Sequence, residues 1–126
     1  MPAGNGRQTQ YQQTHYFRKR VNYNDAGIAA GVLVGTLPAG AMITGLNVRC
    51  STAFNAGTTN ALKLGTTATG TEIFTDAATA GARSPAIPNL SFAADTDFYA
   101  SYAQTGTAAT AGVADIVMSF APNNDQ

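Results

Sequence analysis

The chain has 126 residues, no net charge, 11% charged residues and 44% hydrophobic ones, and many of the last are alanine. This length suits one domain that buries a core without disulfide or metal support, and so few large apolar side chains favour a two-layer β-sandwich over a multilayer α/β fold. Sparse, balanced charge is unlike the basic footprint of a nucleic-acid binder, and one histidine, one cysteine and seven carboxylates leave little from which to build a catalytic centre.

Residues 1–13 (MPAGNGRQTQYQQ) show no periodicity and read as an extended polar N-terminal arm. A strand is predicted over 14–24. It places His15, Phe17, Val21 and Tyr23 on one face, with Lys19 the exception there, and Tyr16, Arg18, Arg20 and Asn22 on the other. After the turn residues Asn24-Asp25-Ala26-Gly27, a second strand over 28–37 carries Val32 and Val34 on one face and Leu33 and Leu37 on the other. Apolar residues on both faces predict burial from two sides, by the core and by a neighbour.

The strand over 41–52 puts Met42, Leu46, Val48 and Cys50 inward and Asn47, Arg49 and Ser51 outward. A short strand over 60–64 follows with Leu62 and Leu64 inward, then a turn over 65–70, then a strand over 71–75 with Ile73 and Phe74. Residues 76–85 read as a longer loop, with at most a helical turn over 76–82. Pro85 and Pro88 restrict a strand over 86–92 to a sheet edge. The strand over 96–104 alternates Phe98, Ala100 and Tyr102 with Asp97, Tyr99 and Ser101. The last, over 111–120, alternates Ala114, Ile116, Met118 and Phe120 with Val113, Asp115, Val117 and Ser119, and Pro122 stops it. About eight strands at sandwich-like spacing predict an all-β, antiparallel, jelly-roll-like β-sandwich over 14–122, with a tail over 123–126.

Little in this frame supports bond-making chemistry, and no enzyme is expected. His15 is the only imidazole, no Gly-x-Ser-x-Gly elbow exists, and the parity of Cys50 points it into the core as a small hydrophobe. Asp95-Thr96-Asp97 is a D-x-D pair, but a cation would need Glu72, Asp76 or Asp115 to join it through folding. Turn capping is the simpler role, so neither a metal nor a cofactor is expected. Gly57, Gly65 and Gly70 lack the lysine of a phosphate loop and read as hairpin glycines with positive φ. Basic residues crowd the first 49 positions and carboxylates the last 43, which would bring unlike charges together at a head-to-tail or arm-to-neighbour contact. The basic run Arg18-Lys19-Arg20 is too small for a nucleic-acid patch and suits an acidic partner better. The candidate partner-binding residues are therefore Arg7 and Tyr11 in the arm and Tyr16, Arg18 and Arg20 in the first strand. No signal peptide begins the chain and no run is apolar enough to span a membrane, so synthesis in the cytoplasm and no membrane partner are expected.

Residues 48–66 run Val-Arg-Cys-Ser-Thr-Ala-Phe-Asn-Ala-Gly-Thr-Thr-Asn-Ala-Leu-Lys-Leu-Gly-Thr. With Leu37-Pro38-Ala39-Gly40-Ala41-Met42-Ile43 and Asp97-Phe98-Tyr99-Ala100-Ser101-Tyr102, this pattern resembles small structural proteins of tailed bacteriophages. The nearest type is the capsid decoration, or cement, protein with a jelly-roll-like sandwich. The resemblance spans about residues 28–120. It implies a protein on the virion exterior, made in the host cytoplasm, that binds the major capsid protein and copies of itself as a dimer or trimer. It implies no contact with nucleic acid. A tail or fibre component with a receptor- or carbohydrate-binding sandwich is the alternative.

Overall fold

Eight strands and no helix make up the described residues, 15–87 and 91–121, of the computed structural model. In chain order they are β1 (His15–Asn22), β2 (Val32–Leu37), β3 (Met42–Thr52), β4 (Thr59–Gly65), β5 (Phe74–Asp76), β6 (Gly81–Arg83), β7 (Thr96–Thr105) and β8 (Val113–Ala121). The predicted arm, 1–13, and tail, 123–126, lie outside the described residues.

The strands form two four-stranded antiparallel sheets, ordered β1-β8-β3-β6 and β2-β7-β4-β5. Strand one neighbours strand eight, two neighbours seven, three neighbours six and four neighbours five. The chain is thus one long hairpin with its tip between β4 and β5, rolled so that alternate pairs fall in opposite sheets. This is the jelly-roll topology, as the alternation of short strands predicts.

The inward parity holds on the long strands. Leu62, Leu64, Phe98, Ala100, Tyr102, Ala114, Ile116 and Met118 are buried, as are Leu46, Val48 and Cys50. The seam is thin, and one glycine marks its closest approach. A methyl group on Gly35 of β2 would lie 2.5 Å from the ring of Phe17 on β1. Phe17 therefore lies against bare backbone of the opposite sheet.

Two bulges alter the predicted faces. One between Leu33 and Gly35 shifts the register of β2 against β7, leaving Leu33 half exposed and Leu37 buried. That shift accounts for the burial of Leu37 by the core, and Leu33 stays on the outer face. A second bulge between Ile43 and Gly45 turns Met42 outward, at 53% exposure, and Ile43 inward. Residues 28–31, expected in a strand, form a turn before β2.

The sixth strand differs most. It lies at Gly81–Arg83, inside the predicted loop, and pairs with the end of β3. Residues 84–87 form no strand, Ser91 makes an isolated bridge to Met42, and 88–90 lie outside the described residues. Proline has no N–H to give a ladder, so the partners of β3 come from Gly81, Ala82 and Arg83 instead. The side chain of Arg83 then bridges the sheets. Its Nε is 2.7 Å from Asp76 Oδ2 at the end of β5, and its Nη2 donates to Thr79 O at 2.7 Å.

The Thr-Ala-Phe-Asn and Gly-Thr-Thr-Asn segments stitch the loops at one end of the sandwich. Asn55 Oδ1 accepts the N–H groups of Thr110 and Ala111, Asn60 Oδ1 accepts those of Ala56 and the Tyr102 hydroxyl, and Phe54 packs on Tyr102 with ring centroids 4.6 Å apart. Gly57, Gly65 and Gly70 do not take positive φ, contrary to expectation. Close approach explains them instead, because a methyl group there would meet Thr107 backbone or the Glu72 carboxylate.

Candidate functional site

The candidate partner residues of β1 share the outer face of the β1-β8-β3-β6 sheet. Alternation puts Tyr16, Arg18 and Arg20 outward, and the register sets Arg20 opposite Asp115 of β8, which is in turn opposite Arg49 of β3. Tyr16 is 65% exposed. Arg7 and Tyr11 lie outside the described residues. Arg49 and Asp115, absent from the predicted set, therefore join Arg20 in one row across three strands. Their outward parity was legible, but their adjacency required the pairing of β1, β8 and β3.

Asp115 organises the cluster. Arg20 Nε donates to its Oδ1 at 3.0 Å and Arg20 Nη2 to its Oδ2 at 3.3 Å, while Arg18 Nη2 lies 3.9 Å from Oδ2. The hydrogen bond from Arg20, with the charges of Arg20, Arg18 and Arg49, holds the Asp115 carboxyl below the usual carboxylate range against the opposing effect of burial. The same hydrogen bond raises the Arg20 guanidinium above its ordinary value. The sequence-level split between a basic start and an acidic end is thus met partly within one chain.

Next to this row lies a concave groove of about 450 Å³ over β8, β3 and β6. Arg18, Asn47, Arg49, Ser84, Asp115 and Val117 contribute to its lining. Ser84 Oγ donates to Asn47 Oδ1 at 2.7 Å. Arg49 has no carboxylate within salt-bridge distance among the described residues.

The remaining carboxylates serve the fold. Asp25 accepts the Asn22 N–H at 2.8 Å, Asp95 the Ala39 N–H at 2.8 Å and Asp97 the Thr36 hydroxyl at 2.6 Å. Glu72 accepts the Thr66 N–H at 3.1 Å, and hydrogen bonds to backbone N–H groups hold its carboxyl below the usual range. Asp95 thus caps the 38–40 turn, Asp97 bonds across the β2–β7 pair to Thr36 instead of capping a turn, and Glu72, Asp76 and Asp115 are engaged elsewhere. No group of three metal-ligating side chains occurs among the described residues. His15 stacks on Phe120, whereas Cys50 pairs with Ala114, six positions away along β8 and about 20 Å distant. Burial pushes the Cys50 thiol up, away from the reactive thiolate.

No family model matches this chain, and no curated protein matches it in sequence. Two solved structures share its fold. A chain of the cyanophage Pam1 capsid asymmetric unit aligns over 97% of this chain and 99% of its own, with a TM-score of 0.63 and 17% identity. A chain of the capsid of Ralstonia phage GP4 aligns over 98% of this chain and 91% of its own, with a TM-score of 0.54 and 12% identity. The fold is therefore one found in phage capsids, in agreement with the sequence resemblance to phage structural proteins.

Proposed function

We propose that the chain is a structural protein of a tailed-phage virion that binds the outside of the head and cements neighbouring major capsid proteins. The observation that carries this reading is the agreement in fold, over nearly the whole of both chains, with a chain of the Pam1 capsid. The jelly roll supplies a rigid body whose carboxylates, among the described residues, hold its own turns and bridges. The arm over 1–13, with Arg7 and Tyr11, leads into β1, the edge strand that carries Tyr16, Arg18 and Arg20. Arm and strand together reach the capsid or a neighbouring copy, and the chain acts as a dimer or trimer. Each contact is weak, but tethering in a lattice makes later contacts intramolecular and their free energies accumulate. The reaction surface is another protein; nucleic acid, membrane and cofactor have no part in it.

The test is decoration of heads assembled without this protein. The full chain is expected to bind and to raise the temperature at which heads release DNA. A chain lacking residues 2–13 is expected to melt like the full chain but leave most sites empty. Full occupancy without the arm would remove the arm from the mechanism. A full chain that never binds heads would remove the cementing function.

A further inference from the structure

The charge inventory of the fold is one-sided. All six carboxylates among the described residues are engaged within the chain: Asp25, Glu72, Asp95 and Asp97 with turn or hydroxyl donors, Asp76 with Arg83, and Asp115 with Arg18 and Arg20. Lys19, Arg49 and Lys63 have no carboxylate within 4.0 Å among those residues. Hydrogen bonds from neutral donors leave a carboxylate its charge, so the asymmetry is one of pairing: among the described residues every carboxylate has a partner within the chain, whereas three cations have no carboxylate partner.

Those cations are not spread evenly. The outer face of the β1-β8-β3-β6 sheet holds three arginines, 18, 20 and 49, against the single carboxylate of Asp115. Arg20 is tied to that carboxylate at two atoms, Arg18 only at 3.9 Å, and Arg49 faces it from the other side. The groove beside them adds an apolar wall at Val117 and a hydrogen-bonding wall at Asn47 and Ser84. Tyr16 and Met42, both more than half exposed, stand at the end of the same sheet where β1 starts. Tyrosine, methionine and arginine are the side chains that protein interfaces favour.

Taking the cementing function as its basis, we infer that this groove is the docking site for an acidic segment of the capsid surface. Arg18 and Arg49 receive partner carboxylates, Val117 an apolar side chain between them, and Asn47 and Ser84 a backbone amide. Asp115 positions the arginines: it offsets their mutual repulsion in the free protein and sets their spacing. A polyanion fits less well, because two available guanidiniums flanking an aspartate do not track a phosphate backbone. A second copy of the chain meeting this face with its own fits less well too, since that would set three arginines and one carboxylate against the same net positive set.

Two measurements test this. In the first, heads assembled without the protein are titrated with the full chain, with Arg18→Glu/Arg49→Glu, and with Lys63→Glu, which reverses a charge on the other sheet. The double reversal is expected to weaken binding roughly tenfold or more while Lys63→Glu binds like wild type. Raising the salt from about 50 mM to about 500 mM should weaken wild-type binding as well. Equal binding by wild type and the double reversal, both with unchanged melting temperatures, overturns the groove and leaves the cementing function standing. Should the double reversal melt early, Arg49→Gln serves in its place. Wild type that does not bind heads removes the cementing function, and the second measurement then decides the groove alone. It follows backbone amide shifts of the full chain while the capped peptide Ac-Glu-Asp-Val-Glu-Asp-NH2 is added to millimolar concentration. Shifts at Arg18, Asn47, Arg49 and Val117 support the site. Silence there, tighter binding of a short DNA duplex at those residues, or their burial in a self-associated dimer overturns it.

Discussion

The two sheets of the sandwich are alike inside and different outside. Inward, both present tightly packed apolar side chains: Ile116 and Val48 from one, Phe98 and Leu62 from the other, none more than 1% exposed. Outward, the β1-β8-β3-β6 sheet shows an arginine row and a groove. The β2-β7-β4-β5 sheet shows one lysine and one aspartate, Lys63 and Asp97, and its Ser101, of outward parity, is 2% exposed beneath its own chain. The inner faces answer to the stability of one seam, so they converge. The outer faces carry no such shared demand, and the difference between them is what the proposed docking to the β1-β8-β3-β6 face rests on.

The largest effects should fall on the shared seam and ignore the difference outside it. Phe98→Ala and Ile116→Ala are each expected to cost about 3–5 and 2–5 kcal/mol respectively in denaturant unfolding. A loss confined to one sheet would mean that the two halves do not share a core. Tyr102→Phe comes next. It removes the buried hydroxyl that donates to Asn60, at about 1–3 kcal/mol.

Acid sharpens the comparison of the outer faces. The carboxyls of Asp115 and Glu72 are held low in the fold. Between the folded and unfolded pKa values the unfolded chain binds more protons, so stability is full above the ordinary carboxylate range and falls as pH drops through the lowered value. Melting temperature is expected to stay level down to about pH 4 and to decline below it. In Asp115→Asn the melting temperature should be lower at neutral pH and fall less steeply in acid. A variant with the wild-type acid slope would show that Asp115 is not holding the arginines.

The smallest effects concern exposed charge. Arg49→Gln and Lys63→Gln should each change stability by less than about 0.5 kcal/mol, so that any difference between them in partner binding is a difference between faces. Native Cys50 should react slowly with a thiol reagent. Arg83→Ala, which removes the bridge between the β5 and β6 edges, should speed that reaction. An unchanged rate would place the opening that exposes Cys50 elsewhere in the sandwich.

Much of the fold was legible because alternation on β3, β4, β7 and β8 is strict where one face is buried. It failed where backbone irregularity resets the period. The bulges at Leu33/Gly35 and Ile43/Gly45 each add a residue that no hydrophobic pattern announces, and they turned Leu37 inward and Met42 outward. The sixth strand was missed because Gly81-Ala82-Arg83 has no apolar alternation. It exists through pairing with β3 and the Arg83–Asp76 bridge, both non-local. The arrangement of the candidate face was half legible. Tyr16, Arg18 and Arg20 follow from one strand's parity, whereas Arg49 and Asp115 join them only once strands 1, 8 and 3 are placed side by side.

A reconstructed image of the native particle tests the central claim most directly. Hundreds of copies are expected on the outside of the head, each with the outer face of its β1-β8-β3-β6 sheet, Arg18 and Arg49 foremost, turned toward the capsid protein and its opposite sheet toward solvent. A handful of copies on the tail, or a head layer in which those arginines point into open solvent, would contradict it.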